Sequence, residues 1–331
     1  MNKKYCDLVL EGGGVKGLGL VGAIATIKER GYIVRRAAGT SAGAIVGALT
    51  AAGMSAAEMR ETMQTLDYQR FRDATPLDHL GIPGKGLQLA FSEGIYKGDY
   101  LKNWLAAELA KLNVHTFKDL AITEDWAQTL PPEQRYKLVV ITTDVTRGRL
   151  VRLPWDYHLY GLNPDDQPVA EAVRASMSIP FFYKPQHLAG SVFVDGSMLS
   201  NFPVGMFDST PDWPTFGVKL SLKPAADPGI DPTKNAVDLG IALFQTIMNA
   251  HDWMHLDDPA TLARTMFVDT TGVSATNFDI TPKQQAWLYA NGQKGAAKLL
   301  DRLAAAATNP DDPVPSAAPT RTTQSPTPPP R

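Results

Sequence analysis

The chain has one cysteine, Cys6, in 331 residues, so no disulfide can close within it. Cys6 lies in an apolar run and is expected to be an inert, buried thiol. A chain so poor in cysteine suits a reducing compartment. The expected location is cytoplasmic, peripheral at membranes at most. Charge is also lacking: 32 basic side chains meet 34 acidic ones, for a formal net charge of −2. No global basic field exists to hold nucleic acid or an anionic bilayer, so no nucleic-acid partner is expected; a local patch stays open. Long apolar runs are missing too. The best one, Leu18 to Ile27, stops at Lys28, well short of a bilayer span. The opening "MNKKY" is basic like the start of a secretory leader, but the apolar stretch behind it is broken by Asp7 and Glu11. It reads as a first strand and not as a signal peptide. Internal repeats are absent. "HDWMH" sets His251 and His255 one helical turn apart, a spacing that can bind zinc. It lacks the glutamate of the His-Glu-x-x-His pattern, and neither metal nor cofactor is expected.

Apolar residues make up 44% of the chain, enough for a large core. One domain over 1–307 is expected, with its motifs in 5–203 and a helical part over 234–307. A Pro/Ser/Thr-rich tail over 308–331 cannot bury enough apolar area to order itself. The first part alternates. Tyr5–Leu10 predicts a strand, Leu18–Glu29 a helix ended by Gly31, Tyr32–Ala38 a second strand and Ala42–Ala52 a small-residue helix. Such alternation argues for a parallel sheet covered by helices. Further on, Ala56–Leu66 and Tyr100–Leu112 have helical spacing. Tyr136–Val145 and Arg149–Leu153 read as strands around a turn at Arg147-Gly148, Val169–Met177 as a helix ended by Pro180, and Ser191–Val194 as a short strand. Thr215–Leu222 and Arg264–Asp269 are expected strands; Asn235–Trp253 and Lys283–Ala307 are expected helices. In "RLVRLPWDYHLYGL", Trp155, Tyr157 and Tyr160 suit packing on the body or contact with a lipid interface. Gly84–Gly98 suits a mobile cover or an ordinary packed loop.

Two glycine turns carry the chemistry. Gly39-Thr40-Ser41-Ala42-Gly43 fits the Gly-x-Ser-x-Gly elbow, which bends a strand sharply into a helix and presents the serine oxygen. Ser41 as a plain helix N-cap is the alternative. The earlier turn, Gly12-Gly13-Gly14-Val15-Lys16-Gly17, is not a phosphate loop, because Leu18 follows Gly17 where Ser or Thr should close the motif. It is not a dinucleotide fingerprint either: the second strand ends in a serine elbow where an acidic residue should hold the ribose. A row of bare amides at a helix start can instead stabilise an oxyanion. None of the six histidines sits in a glycine-framed turn after a strand. The framed residue is Asp195, followed by Gly196 in "VFVDGSMLSNFP"; an Asp-Gly turn without further role is the alternative.

Taken in order, the glycine turn, the serine elbow and the Asp-Gly turn resemble the patatin-like phospholipase family, as do "VRASMSIPFFYKP" and "NFPV" around the aspartate. The resemblance covers roughly Tyr5 to Pro203. It implies a three-layer α/β/α sandwich with a mainly parallel central sheet, and a serine acyl-hydrolase using a Ser–Asp dyad without histidine or calcium. Ser41 would be nucleophile and Asp195 base, and the amides of Gly12, Gly13 and Gly14 would form the oxyanion hole. Gly17, Gly39, Gly43 and Gly196 would shape the turns. Lys16 would hold an anionic head group or the turn itself. Ser197 departs from the small Gly or Ala usual after Asp-Gly in the family. The expected substrate is a phospholipid or other acyl ester met in transient membrane-surface contact. A general esterase or thioesterase, or a membrane-degrading effector needing an activating partner or ligand, are the alternatives.

Overall fold

The structure is a computed structural model that describes residues 3–71, 96–209, 213–220, 258–275 and 277–308, with five helical positions between 239 and 247. Strand β1 (Lys4–Leu10) pairs in parallel with β2 (Tyr32–Thr40), and β2 with β3 (Leu138–Asp144). On its other side β1 pairs in parallel with β7 (Thr215–Lys219), which pairs in parallel with the edge strand β8 (Thr265–Phe267). The opposite flank is antiparallel: β4 (Arg149–Leu153) and β6 (Ser191–Asp195) both pair with β3, and β5 (Gln186–Leu188) pairs with β6. The path across the sheet is β5-β6-β3-β2-β1-β7-β8. With helices packed against this mixed, mostly parallel sheet, the chain has the three-layer α/β/α fold. Parallel strands buried on both faces need continuous apolar runs, and β3 is buried at every position.

The helices are α1 (Gly17–Glu29), α2 (Ala42–Ala51), α3 (Ala56–Gln64), α4 (Asp99–Ala110), α5 (Val169–Ser176), α6 (Pro259–Ala263) and α7 (Pro282–Thr308). Helix α2 is buried from Ala42 to Thr50, which explains its small, apolar composition on every side. Helices α1 and α7 lie backbone to backbone: a Cβ on Gly22 would run into the Tyr289 carbonyl, and one on Gly292 into that of Gly19. Ser55 and Glu58 close a capping box at the start of α3, satisfying two orphan amides.

Predicted and observed elements differ mainly at their ends. Strand β2 runs two residues past Ala38, to Thr40, because its last residues pair with β3. Strand β7 stops at Lys219 rather than Leu222, and β8 spans three residues of the six expected. Helix α5 ends at Ser176, well before Pro180, where the chain turns to meet the ends of β2 and β6. Trp155, Tyr157 and Tyr160 are buried, so that stretch packs on the body. Most of Asn235–Trp253, both His251 and His255, residues 84–95 of the glycine-rich segment and the tail beyond Thr308 lie outside the described residues. Among the described residues no helix is long and apolar enough to cross a membrane, and no group of three or more His, Cys, Asp or Glu side chains could hold a metal.

Candidate active site

Ser41 sits where β2 turns into α2, with φ 53° and ψ −121°. A side-chain-bearing residue held there costs roughly 1–3 kcal/mol, so the surrounding structure must impose it. The flanking glycines show how. A Cβ on Gly39 would strike the Gly43 carbonyl, and one on Gly43 would strike the carbonyls of Leu10 and Glu11. Both are sites of close backbone approach. Gly43→Ala is expected to destabilise the fold by about 3 kcal/mol or more, read as a lowered denaturation midpoint, whereas Ala at the open turn position Gly53 meets nothing nearby and costs only its positive-φ strain.

The segment after α5 joins the serine and the aspartate. Ser176 Oγ accepts the Ser41 amide at 2.8 Å and donates to the Ile141 carbonyl at 2.5 Å. Met177 Sδ lies 3.3 Å from Ser41 Oγ. The Ser178 carbonyl accepts the Asp195 amide at 2.9 Å. Buried Arg174 locks this corner by donating to Ser178 Oγ at 2.7 Å and to the Lys184 carbonyl at 2.9 Å.

Asp195 ends β6 and is buried. Its Oδ1 accepts the Ser197 amide at 2.9 Å. Burial pushes its carboxyl from an ordinary value of 3.8 up to about 6, against the lowering effects of the Ser197 amide and hydroxyl and of the Ser41 hydroxyl. The Ser41 hydroxyl is thus near enough to favour the ionised carboxylate, yet Oδ2 accepts no hydrogen bond of good geometry among the described residues. The geometry decides: the two side chains adjoin without being hydrogen-bonded. Gly196, behind the aspartate, is pressed onto the Ile141 carbonyl with no room for a Cβ.

The first glycine turn completes the cluster. A Cβ on Gly12 would lie 3.2 Å from Ser41 Cβ and 3.0 Å from Ser197 Oγ, which places this backbone directly against both turns. The Gly12 amide is already donated to the Asn201 carbonyl at 3.3 Å, so it does not stand free as the sequence reading expected. Among the described residues the amides of Gly13 and Gly14 donate to no partner. Gly14 has φ +55° and abuts the Ala275 carbonyl, a backbone that glycine tolerates and other residues rarely adopt. Gly17, at the head of α1, leaves room for Met63 Cε, which would lie 2.8 Å from a Cβ there.

Beneath the turn is a polar chain that the sequence reading missed. Ser197 Oγ donates to Asn201 Oδ1 at 2.8 Å, and Asn201 Nδ2 donates to Glu11 Oε1 at 3.3 Å. Buried Glu11 in turn holds buried Lys219 and the Leu220 amide. Half-buried Lys16 stands beside this pair: desolvation and Lys219 lower its pKa, and Glu11 raises it. The only sequence signal for this chain is the Asn-Phe-Pro-Val stretch; nothing in sequence spacing connects Glu11 to Lys219.

An apolar slot opens beside Ser41, lined by Ala42, Met177, Phe71, Trp104, Tyr183 and Phe278 among others. Its free volume is about 20 Å³, room for little more than one water. Tyr96, at the end of the glycine-rich segment, is tied to residues 182–184 by paired backbone hydrogen bonds of 2.9 Å.

A model of the patatin-like phospholipase family matches residues 8–208. The chain belongs to the patatin-like phospholipase family. YqhO of Bacillus subtilis (strain 168) is 35% identical over 297 residues, covering 88% of this chain and 96% of its own length. An NTE family protein of Mycobacterium tuberculosis (strain CDC 1551 / Oshkosh), MT2641, is 26% identical over 213 residues, or 64% of this chain and 30% of that protein. In three dimensions the chain is similar to VipD from Legionella pneumophila, with a TM-score of 0.54 and 21% identity over 90% of this chain and 67% of the other; that likeness speaks to the fold. Membership makes the chain a lipid ester hydrolase by family, and both motif-bearing turns, with the Asp-Gly turn, fall inside the matched span.

Proposed function

We propose that this patatin-like chain is a phospholipase A-type acyl-hydrolase working through a Ser41–Asp195 dyad. The observation that carries the reading is the strained Ser41 elbow, set beside a buried carboxylate whose second oxygen accepts no hydrogen bond among the described residues, and beside two glycine amides that donate to none of them. Ser41 Oγ attacks the ester carbonyl carbon as its proton passes to Asp195 Oδ2. The amides of Gly13 and Gly14 donate to the oxyanion that forms, each worth roughly 3–4 kcal/mol at the transition state. Gly12 serves by its bareness, letting the turn approach Ser41. Collapse breaks the ester C–O bond, and the leaving alkoxide takes the proton back from Asp195. Water then repeats the sequence on the acyl-serine, with Asp195 again as base, and releases the fatty acid.

The apolar slot takes the acyl chain. Because it is nearly closed, the aromatic side chains must part to admit one, which favours substrates met at an interface. Exposure to a mixed lipid extract, with mass-spectrometric identification of released fatty acids and lysolipids beside a Ser41→Ala control, tests the reading. Turnover should climb sharply as a lipid substrate passes its micelle threshold. Equal rates on a soluble short-chain ester without any interface would point to a general esterase instead.

Asn201 is a positioning residue in this scheme, since it fastens the oxyanion turn to the Asp195 loop. Asn201→Ala should lower kcat by about ten- to a hundredfold with little change in KM, the pattern of a group that acts on the transition state.

A further inference from the structure

We propose that the groove between α7 and the sheet-edge strand β8 binds a phosphate-bearing amphiphile, apart from the Ser41 site. The groove encloses about 680 Å³, within the range of about 300–1,000 Å³ typical of small-molecule sites. Its floor is apolar: buried Leu299 and half-buried Leu262 and Phe267. The floor exists because α7 lies on the strand there, a Cβ on Gly295 having no room beside the Phe267 carbonyl.

One rim is cationic. Lys294, Lys298 and Arg302 follow one another at four-residue intervals along α7 and are exposed, which spreads three positive charges over about 12 Å of one helix face. Neither lysine has an ion pair or hydrogen bond among the described residues. Arg302 is fixed at the groove's mouth by donating Nη2 to the Ala263 carbonyl at 2.7 Å, an uncharged partner, and it has no ion pair among the described residues. Among the described residues the one carboxylate lining the groove is Asp269, with an oxygen engaged by the Thr271 amide at 2.9 Å and its carbonyl pinned by Asn291 Nδ2 at 3.0 Å. Three cations against one carboxylate select an anion. Their row suits the oxygens of a phosphate and its ester arm, which take charge-assisted hydrogen bonds. The apolar floor below suits hydrocarbon, which a free phosphate lacks.

No residue of this groove lines the slot beside Ser41, and β8 stands three strands away from β2, or roughly 14 Å at ordinary strand spacing. Occupancy therefore does not depend on the hydrolase reading.

The test uses the full chain carrying Ser41→Ala, so that no probe is consumed. Titration calorimetry compares dihexanoyl phosphatidic acid, dihexanoyl phosphatidylcholine and glycerol 3-phosphate. The triple variant Lys294→Gln, Lys298→Gln, Arg302→Gln should bind the phosphatidic acid at least about tenfold more weakly than its parent, with a clearly smaller loss for the phosphatidylcholine, whose choline cation offsets its phosphate charge, and with thermal unfolding preserved. Glycerol 3-phosphate should bind the parent at least tenfold more weakly than the phosphatidic acid. No measurable binding of the phosphatidic acid, equal affinity in parent and triple variant, or an equal loss with phosphatidylcholine would overturn the site. Glycerol 3-phosphate matching the phosphatidic acid would overturn the amphiphile.

Discussion

Ser41→Ala should reduce kcat on a phospholipid by at least about 10⁴-fold, the scale on which losing a nucleophile falls, while the protein folds as before. Among the described residues the hydrogen bond that the Ser41 side chain makes is the weak one to Met177 Sδ at 3.3 Å, which does not hold the structure together. The amide at 41, bonded to Ser176 Oγ, survives the change. A further variant separates chemistry from strain. Ser41→Gly removes the hydroxyl and also relieves the positive φ of 53°, so it should be as inactive as the alanine variant and more stable in denaturant by about 1 kcal/mol. Retention of even a tenth of the parent's rate by Ser41→Ala would exclude an acyl-serine route.

Asp195→Asn carries the second large effect, and its two readouts move in opposite directions. Activity should fall by about 10³-fold or more, because an amide cannot take the Ser41 proton. Stability should rise. The carboxyl is held at about 6 in the folded chain against 3.8 ordinarily, so the folded state prefers the protonated form. The stabilisation that this preference brings is present below the unfolded value and is lost as pH rises through about 6. At neutral pH the folded protein therefore bears a buried, ionised carboxylate at a cost of up to about 3 kcal/mol. Asparagine removes that cost, and the melting temperature at pH 8 should rise by a few degrees, with little gain at pH 4. The same ionisation sets the activity profile of the parent. A base must be deprotonated to work, so kcat/KM should fall as pH drops through a value near 6. Asp195→Asn activity close to that of the parent would reassign the base.

The variants of Gly43 and Asn201 test the scaffold around these two groups. The first asks whether the elbow needs a bare backbone where it crosses Leu10 and Glu11, and the second whether the turn keeps its register without the Asn201 tether. A loss confined to kcat at Asn201, with stability near that of the parent, separates positioning from general loosening.

Much of the site was legible along the chain, for a physical reason. Chemistry that depends on backbone shape leaves its mark in residue types that permit the shape. Gly39 and Gly43 are bare because carbonyls sit where their side chains would be, and Gly14 because its φ is positive. The succession of elements was also readable where apolar runs alternate with helices of regular period, as from β1 to α2, though not the order of strands across the sheet. Element ends were less so: β2 is lengthened by pairing with β3, and β8 is short, pairing among the described residues with β7 alone.

The sequence by itself determined the family, the parallel half of the fold and the three turns that meet. Only the tertiary structure decided that the Gly12 amide is engaged, taken by a carbonyl 189 residues away at Asn201, while those of Gly13 and Gly14 meet no acceptor among the described residues. It also decided that the Asp195 carboxyl is buried, which pushes its pKa up, because burial depends on what closes over β6. The Ser197–Asn201–Glu11–Lys219 chain and the cationic groove along α7 likewise exist only once distant segments are packed together. Hydrogen bonds and desolvation act through space over a few ångströms, and sequence spacing carries no record of which distant residues will share that space.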